Sequence, residues 1–263
     1  MSIIKVIVHG AQGKMGQEVL NAVSKEKDMT PVGAVDAKAQ SETLRLPDGS
    51  RSIPLATSLG AINITADVVV DFSSAEGAIA AIRAATANKA HVVVGTTGLK
   101  ETELAEAKRF AEQNGVGVFI APNFAVGAVL MMHLARIAGK HFDYADLLET
   151  HHEQKVDAPS GTALAIARAA AEGRGKPFLS NETKKETLAG SRGGTLQGVN
   201  VHSARLPGRV AHHELVFGGL GQTLTIRHDS ISRESFMPGV VAAVRYVVKH
   251  PGLTVGLEKV LGL

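Results

Sequence analysis

The chain has 263 residues, a length that suits one large domain or two modest ones with a sizeable buried core. Its formal net charge is only +3, and no dense stripe of Lys and Arg appears, which argues against a nucleic-acid partner. Cysteine is absent, which excludes disulfides, thiolate zinc sites and an aldehyde dehydrogenase of the thioester type. The N-terminal segment has no signal-peptide layout, and the longest apolar stretch is broken by Pro122 and Asn123. We therefore expect a cytoplasmic protein without a membrane span.

The first half of the chain alternates short β-branched runs with Ala-rich helical patterns. The predicted strands cover residues 4–9, 31–36, 66–71, 91–95 and 117–121, and the predicted helices cover residues 15–25, 75–87 and 101–113. This alternation is typical of βαβ units with a parallel sheet. Because the strands show little polar alternation, we expect both faces of that sheet to be covered.

The pattern changes after Phe124. The predicted helices there cover residues 127–139, 160–173 and 235–249, and the predicted strands cover residues 145–152, 198–202, 210–217 and 222–228. The last three strands alternate polar and apolar residues enough to be antiparallel. Two Gly-rich segments, 173–177 and 190–198, are predicted to be mobile loops.

The first predicted strand runs into a glycine-rich turn. Gly10, Gly13 and Gly16 form a GxxGxxG pattern, in which glycine lets the backbone approach a pyrophosphate and the following helix supplies N–H groups. The spacing departs from GxGxxG by one residue, so an ordinary Gly-rich turn remains an alternative. Asp36 ends the second predicted strand and is suited to a ribose 2′-OH, although it could also be a plain turn or capping residue.

The choice of nucleotide stays open at this point. A carboxylate at Asp36 disfavours a 2′-phosphate, yet Lys14 and Lys38 lie close by in sequence and could hold one. The sequence therefore predicts NADH, NADPH or both. Three further strand ends, at residues 71–74, 95–98 and 121–124, could line the nicotinamide half, or could be βα loops with ordinary turn residues.

The most informative segment covers residues 149–163. Ser160 or a neighbour is suited to cap a helix, and the backbone N–H groups near Gly161 and Thr162 can cradle a carboxylate. Lys155 and His152 add positive charge just upstream. This composition indicates a site for a small dicarboxylate.

The two adjacent histidines of this segment have different predicted roles. Neighbouring residues on a strand point to opposite faces, so His151 and His152 cannot easily hold one metal ion together, and the same objection applies to His212 and His213. We predict no metal site. The plain alternative for His151 and His152 is hydrogen-bonded or exposed sheet histidines.

Taken together, these motifs resemble the dihydrodipicolinate (4-hydroxy-tetrahydrodipicolinate) reductases, a bacterial and plant family. The resemblance covers essentially the whole chain, and it is carried by the ordered set rather than by any one motif. Besides the glycine turn and the segment 149–163, the set comprises residues 71–73, 95–98, 121–124, 202–208 and 226–230.

The resemblance implies a role for each matching residue. His151 would be a proton donor and acceptor, Lys155 the main proton donor, and His152, Gly161 and Thr162 ligands of the substrate carboxylates. The nucleotide would be bound by Gly10, Ala11, Gln12, Gly13, Lys14, Met15, Asp36, Gly95, Thr96, Thr97, Ala121, Pro122, Asn123 and Phe124. The family typically forms homotetramers through the sheet of its second domain.

The expected fold is α/β, with a Rossmann-type parallel-sheet nucleotide-binding domain (1–123 and 234–263). A smaller α+β domain with a mixed sheet (124–233) would bind the substrate and oligomerise. Two departures from the family pattern stand out. Ala37 occupies a position that is basic in some members and favours NADPH there, and Glu153 and Gln154 replace a basic pair.

The implied reaction is reduction of 4-hydroxy-tetrahydrodipicolinate in lysine and diaminopimelate biosynthesis. After loss of water, hydride would pass from the nicotinamide to the ring carbon para to the nitrogen, and Lys155, assisted by His151, would supply the proton. One alternative is another small nicotinamide dehydrogenase, of the homoserine or sugar type, which would not need two substrate carboxylates. The other is a non-catalytic NAD(P)-binding redox sensor, which would keep the glycine turn without needing Lys155.

Overall fold

A computed structural model describes residues 2–181 and 183–263. Two compact units make up the chain. The first unit comprises the chain up to Phe124 together with Phe236–Leu263, and the second unit comprises Ala125–Ser235. The divisions lie within two residues of the expected domain boundaries.

Strands and helices alternate in much of the first part of the chain, apart from the four successive strands between the first two helices. As far as Phe124 they are β1 (Ile4–His9), α1 (Lys14–Lys25), β2 (Met29–Val35), β3 (Thr43–Arg45), β4 (Ser52–Ala56), β5 (Val68–Asp71), α2 (Ala75–Ala87), β6 (His91–Val94), α3 (Glu101–Asn114) and β7 (Gly117–Ile120). The remainder are α4 (Val126–Gly139), β8 (Tyr144–His151), α5 (Gly161–Arg174), β9 (Gly194–Leu196), β10 (Val199–Arg205), β11 (Ala211–Gly219), β12 (Gln222–Ser230), α6 (Met237–Val247), β13 (Gly252–Val255) and α7 (Glu258–Leu261).

The first unit is built on a sheet with the strand order β13-β7-β6-β5-β1-β2-β4-β3. All the pairings are parallel except that of β3 with β4. Every residue of β5 and of β7 is buried, because helices cover the sheet. The order reverses between β1 and β5, so ligands are expected at the carboxyl ends of these strands.

The second unit is built on a mixed sheet with the order β12-β11-β8-β10-β9. Its central strand β8 runs parallel to β10 and antiparallel to β11. Side chains alternate along β8, so that Leu147 and His151 are buried, whereas Tyr144 and Leu148 are exposed. Helices α4 and α5 pack against the buried face of this sheet and form an apolar core with it.

The predicted α/β fold class is confirmed, but several details differ. The short strands β3, β4, β9 and β13 were missed, because three to five residues give little periodicity and their pairing partners lie elsewhere in the chain. Strand β9 lies inside the segment that was expected to be a mobile loop, and β10 pairs parallel with β8 as well as antiparallel with β9. A 3₁₀ helix, Arg233–Phe236, precedes α6, which begins beside Pro238.

No helix within residues 2–181 and 183–263 is long and apolar enough to cross a bilayer.

Candidate active site

The glycine turn of the first unit depends on close backbone approaches. Gly10 has a φ of +78°, and a Cβ atom there would lie 2.4 Å from the carbonyl oxygen of Phe72. A Cβ atom at Gly16 would lie 2.2 Å from the carbonyl oxygen of Gly10. Gly13 is the N-cap of α1, and no side chain caps this helix. The turn is therefore compact and made of backbone, as the predicted pyrophosphate contact requires.

Asp36 faces this turn from the end of β2. Its carboxylate accepts hydrogen bonds from the backbone N–H of Gln12 at 2.9 Å and of Lys38 at 3.0 Å. The two bonds fix the carboxylate beside the glycine turn, where the predicted ribose contact requires it.

The buried carboxylate of Asp71, whose loop was predicted but whose own role was not, connects three strand ends. Asp71, at the end of β5, is fully buried and accepts hydrogen bonds from the hydroxyls of Ser73 and Thr96, each at 2.6 Å. His9, its register partner at the end of β1, lies 2.6 Å from it through Nδ1. The Thr96 hydroxyl in turn accepts from the N–H of Ser73 at 2.8 Å. These contacts tie the loops after β1, β5 and β6 together.

The segment after β7 is divided between core and surface. The Phe124 ring is only 2% exposed and packs 5.8 Å from the ring of Phe72 and 6.0 Å from that of Phe119, whereas Pro122 is exposed. Ala121 and Thr96 are also buried, while Thr97 is exposed. The structure therefore brings the predicted nucleotide residues to one sheet edge, but the ring of Phe124 packs in the hydrophobic core.

In the second unit, strand alternation places Glu149 and His151 on the same face of β8. Glu149 is 1% exposed, and its Oε2 lies 2.5 Å from Nδ1 of His151. Arg205 is the register partner of His151 on β10. Its Nη2 and Nη1 donate to Oε1 and Oε2 of the Glu149 carboxylate, at 2.8 and 3.0 Å. Burial alone would raise the pKa of Glu149, but hydrogen bonds from His151, Arg205 and Ser203 hold that pKa at about 2.

Lys155 lies on the loop that joins β8 to α5. Its Nζ donates to Oδ1 of Asp157 at 2.6 Å, and its backbone N–H donates to the carbonyl of His152 at 3.2 Å. The hydrogen bond from Lys155, only partly opposed by burial, lowers the pKa of Asp157. Asp157 was not among the predicted site residues, although it lies in the segment 149–163 from which the others were taken.

The start of α5 is held in place by Ser160. Its hydroxyl accepts from the N–H of Ala163 at 3.1 Å, which makes it the N-cap, and its own N–H donates to Oε1 of Glu149 at 3.2 Å. Gly161 is exposed at this helix start, with Thr162 half-buried next to it. His152 is also half-buried, one residue beyond the end of β8.

Two further histidines line the same face of the sheet. His213 is 3% exposed, and its Nε2 lies 3.3 Å from the Ser160 hydroxyl, with its ring edge-on to that of His151. Burial, with a smaller electrostatic contribution from the neighbouring His151 ring, lowers the pKa of His213 to about 4. His228 stands opposite His213 on β12, and burial lowers its pKa too. No site role was predicted for either histidine, because only the strand register brings them together.

Comparison with known proteins decides the family. Residues 4–124 match the family model described as dihydrodipicolinate reductase, N-terminus, and residues 127–261 match the one described as dihydrodipicolinate reductase, C-terminus. The chain belongs to the dihydrodipicolinate reductase family. The predicted family and enzyme class are thereby confirmed: the chain is an NAD(P)H-dependent oxidoreductase, and its nucleotide-binding part matches the N-terminal model.

Relatives in this family match over their whole length. A 4-hydroxy-tetrahydrodipicolinate reductase of Dehalococcoides mccartyi is 49% identical over 265 residues, covering 100% of both chains. One of Desulfitobacterium hafniense is 43% identical, covering 99% of this chain and 100% of the relative. A solved dipicolinate-bound dihydrodipicolinate reductase of Paenisporosarcina sp. TG-14 is 38% identical with a TM-score of 0.87, covering 98% of this chain and 99% of that one.

The fold is shared more widely than the family. An amine dehydrogenase of Mycobacterium smegmatis has a TM-score of 0.66 at only 14% identity, over 96% of this chain and 95% of that one. At that identity the likeness concerns the fold alone, so the dihydrodipicolinate reductase assignment rests on the family models and the full-length relatives.

Proposed function

We propose that this chain reduces 4-hydroxy-tetrahydrodipicolinate to tetrahydrodipicolinate in lysine and diaminopimelate biosynthesis, with Lys155 as the proton donor and His151 assisting. One observation carries the assignment of residues. Within the second unit, the buried Glu149 contacts His151 and the N–H of Ser160 before α5, and its partner Arg205 binds the Lys155 loop at the Asp157 carbonyl. Proton-bearing side chains next to an anion-binding helix start suit reduction of a cyclic dicarboxylate.

Nucleotide binding belongs to the first unit in this proposal. The backbone of Gly10, Ala11, Gln12, Gly13, Lys14 and Met15 would hold the pyrophosphate, and the absence of room for a Cβ at Gly10 fits that role. Asp36 would take the ribose hydroxyls, and the loops at Gly95, Thr96, Thr97 and at Ala121, Pro122, Asn123, Phe124 would line the nicotinamide half. When bound, the reduced nicotinamide supplies the hydride.

The substrate carboxylates would be bound by His152, Gly161 and Thr162. An α-helix N-terminus carries about half a positive charge, and the backbone of Gly161 at the start of α5 already donates a hydrogen bond that lowers the pKa of the Asp157 carboxyl. A substrate carboxylate would take the place of Asp157 there. Lys155 adds a full charge. Its partner Asp157 is half-exposed, so Lys155 can release Asp157 when a substrate arrives.

Proton supply is the part played by the Lys155 and His151 pair. Reduction of the ring after loss of water needs one hydride and one proton, and the proton would leave the Lys155 ammonium. His151 keeps Nδ1 on Glu149, so its other ring nitrogen, Nε2, is the atom free to exchange a proton with the site.

The test is the near-ultraviolet absorbance of NADH and of NADPH, with substrate made in situ from pyruvate and aspartate semialdehyde by the preceding synthase. Wild-type protein should oxidise the nucleotide only when the synthase is present. Lys155→Ala should lower kcat by about 10²- to 10⁴-fold. Lys140→Ala is the matched control, since Lys140 is an exposed lysine of the same unit, at the end of α4.

Two outcomes would move the assignment elsewhere. Nucleotide binding without oxidation under any of these conditions would favour the redox sensor. Oxidation of nucleotide by a neutral hydroxy compound, insensitive to dipicolinate as a competitor, would favour another dehydrogenase.

The assembly state and location complete the proposal. We propose a cytoplasmic homotetramer in which the open side of the second sheet is the contact surface, and in which the two units serve as nucleotide-binding and substrate-binding domains. Leu148 supports this, since it lies 46% exposed in the middle of that side. Light scattering should give a tetramer for wild type and a smaller species for Leu148→Arg. A monomeric wild type would contradict the assembly.

A further inference from the structure

The ion pair of the buried Glu149 with the partly buried Arg205 has no role in the predicted chemistry, yet it contacts His151, the loop that carries Lys155 and the residue before α5. Each carboxylate oxygen of Glu149 has at least two hydrogen-bond partners. Oε1 accepts from Arg205 at 2.8 Å and from the Ser160 N–H at 3.2 Å. Oε2 accepts from Arg205 at 3.0 Å and lies 2.5 Å from Nδ1 of His151.

Arg205 extends the connection to the Lys155 loop. The guanidinium nitrogen that binds Oε1 of Glu149 also donates to the carbonyl oxygen of Asp157 at 2.6 Å. The side chain of Asp157 holds Lys155. One ion pair therefore links the end of β8, the loop carrying Lys155 and the start of α5.

We propose that Glu149 and Arg205 are positioning residues for this reaction: Glu149 holds His151 in the tautomer with its proton on Nδ1, and Arg205 sets the place of the Lys155 loop. This inference rests on the proposed function of the same site. Arg205 suits its part because only a guanidinium can bind a carboxylate with two N–H groups and still reach a backbone carbonyl.

The charges agree with a positioning role rather than a proton-carrying one. The pKa of Glu149 is held at about 2, so the carboxylate stays ionised at neutral pH and does not take the proton of His151. His213 faces His151 from β11, and its lowered pKa keeps it neutral there. Glu149 is therefore the one anion on His151 among the contacts described.

A purely structural ion pair makes a different prediction. Replacing both partners of a buried pair by neutral residues of similar size is often neutral or stabilising, whereas removing one partner leaves an unpaired charge. The double variant Glu149→Gln/Arg205→Met should therefore fold even where Glu149→Gln alone is too unstable. If the pair only stabilised the fold, the double variant would recover activity along with stability.

The experiment combines nitrogen NMR of the histidine rings with steady-state kinetics. The His151 signals are assigned by their loss in His151→Gln, since the chain has 11 histidines. Wild type should show His151 protonated on Nδ1. The double variant should fold, lose that single tautomer, and have kcat reduced about 10- to 100-fold with an unchanged KM for NADH.

Arg205→Lys separates the two roles. It keeps the charge on Glu149 but loses the second N–H group, so the His151 tautomer should stay as in wild type while the KM for the dicarboxylate substrate, and the Kd of dipicolinate, rise about tenfold or more. Arg136→Lys is the matched control, because Arg136 pairs with Glu172 at 2.9 Å on the surface of the same unit. It should change neither quantity.

The result that overturns the proposal is a folded double variant with wild-type kcat, or a His151 ring already lacking the Nδ1 proton in wild type. The NMR and dipicolinate measurements need no turnover, so they remain decisive if the chain proves to reduce a different substrate. Failure of the proposed function would instead appear as absent oxidation in wild type with the tautomer intact.

Discussion

The nucleotide turn of the first unit and the acid–base cluster of the second unit are built in opposite ways. The turn works through backbone: Gly10 and Gly16 have no room for a side chain, and α1 has no side-chain cap. The cluster works through buried polar side chains, with Glu149, His151 and His213 all nearly inaccessible on one sheet face. A site formed by backbone consists of residues that are consecutive in sequence, whereas a cluster of side chains depends on the register of strands that are far apart in sequence.

The largest effect is expected from a methyl group in the turn. Gly10→Ala places a Cβ 2.4 Å from the Phe72 carbonyl and forces an L-residue to a φ of +78°, so the turn must move. We expect NADH to bind about 1,000-fold more weakly or not at all, with the second unit still able to bind dipicolinate. Calorimetric titration of both ligands measures this.

Gly60→Ala is the control for that variant. A Cβ at Gly60 meets nothing within 4 Å, and its φ is not positive, so stability should not change. Tight NADH binding by Gly10→Ala would show that the turn is not the nucleotide site.

The cluster should make stability depend on pH through His213. Its folded pKa is about 4 against an ordinary 6.5, so between these values the unfolded chain binds a proton that the folded chain does not. Its contribution is therefore complete above pH 6.5 and is lost as the pH falls towards 4, by up to about 3 kcal/mol. Urea unfolding at several pH values should show the decline.

His213→Gln keeps a group near Nε2 but removes the titration. The decline between pH 6.5 and 4 should become shallower in this variant, while the part due to His91 and His228, whose pKa values are also lowered by burial, should stay. An unchanged slope would mean that His213 does not titrate as its surroundings indicate.

A smaller effect is expected at Asp36. Its carboxylate lies against the Gln12 N–H and repels a 2′-phosphate, with Lys14 and Lys38 near in sequence. Asp36→Ala should shift the ratio of kcat/KM from NADH towards NADPH by about tenfold, which corresponds to about 1.4 kcal/mol. If the ratio does not move, Asp36 does not contact the ribose.

The smallest effect is expected from a surface ion pair. Glu172→Gln breaks the contact with Arg136, in which both side chains are more than half exposed, and should change the free energy of unfolding by less than about 1 kcal/mol. Glu149→Gln should destabilise by more, about 3 kcal/mol, because it removes the fully buried anion that binds Arg205, whose own side chain is 18% exposed. Equal effects in thermal unfolding would remove the contrast between the cluster and the surface.

The division between local and long-range information also explains what could be predicted. The glycine turn, Asp36, and the segment from His151 to Thr162 are contiguous or nearly so, and the sequence identified them. Arg205, His213 and His9 enter the sites only because β10, β11 and β1 pair with distant strands. The register sets His9 opposite Asp71, Arg205 opposite His151 and His213 opposite Glu149. Glu149 lies in the segment 149–163, which was singled out, but no local pattern shows that it is buried and paired with both His151 and Arg205.

The same reasoning applies to the fold. Long helices such as α2, where the residues 75–87 were predicted without error, have enough turns to show their period. Strands β9 and β13 form because they pair with the edges of β10 and β7. A run of three or four residues is too short to predict a strand when its pairing partner lies elsewhere in the chain.

The most direct test of this division is NADH titration into Gly10→Ala, Lys155→Ala and wild type, followed by addition of the synthase-generated substrate. The account predicts that Lys155→Ala binds NADH as wild type does and fails to oxidise it, whereas Gly10→Ala does not bind NADH. Loss of NADH binding in Lys155→Ala, or wild-type turnover by either variant, would contradict it.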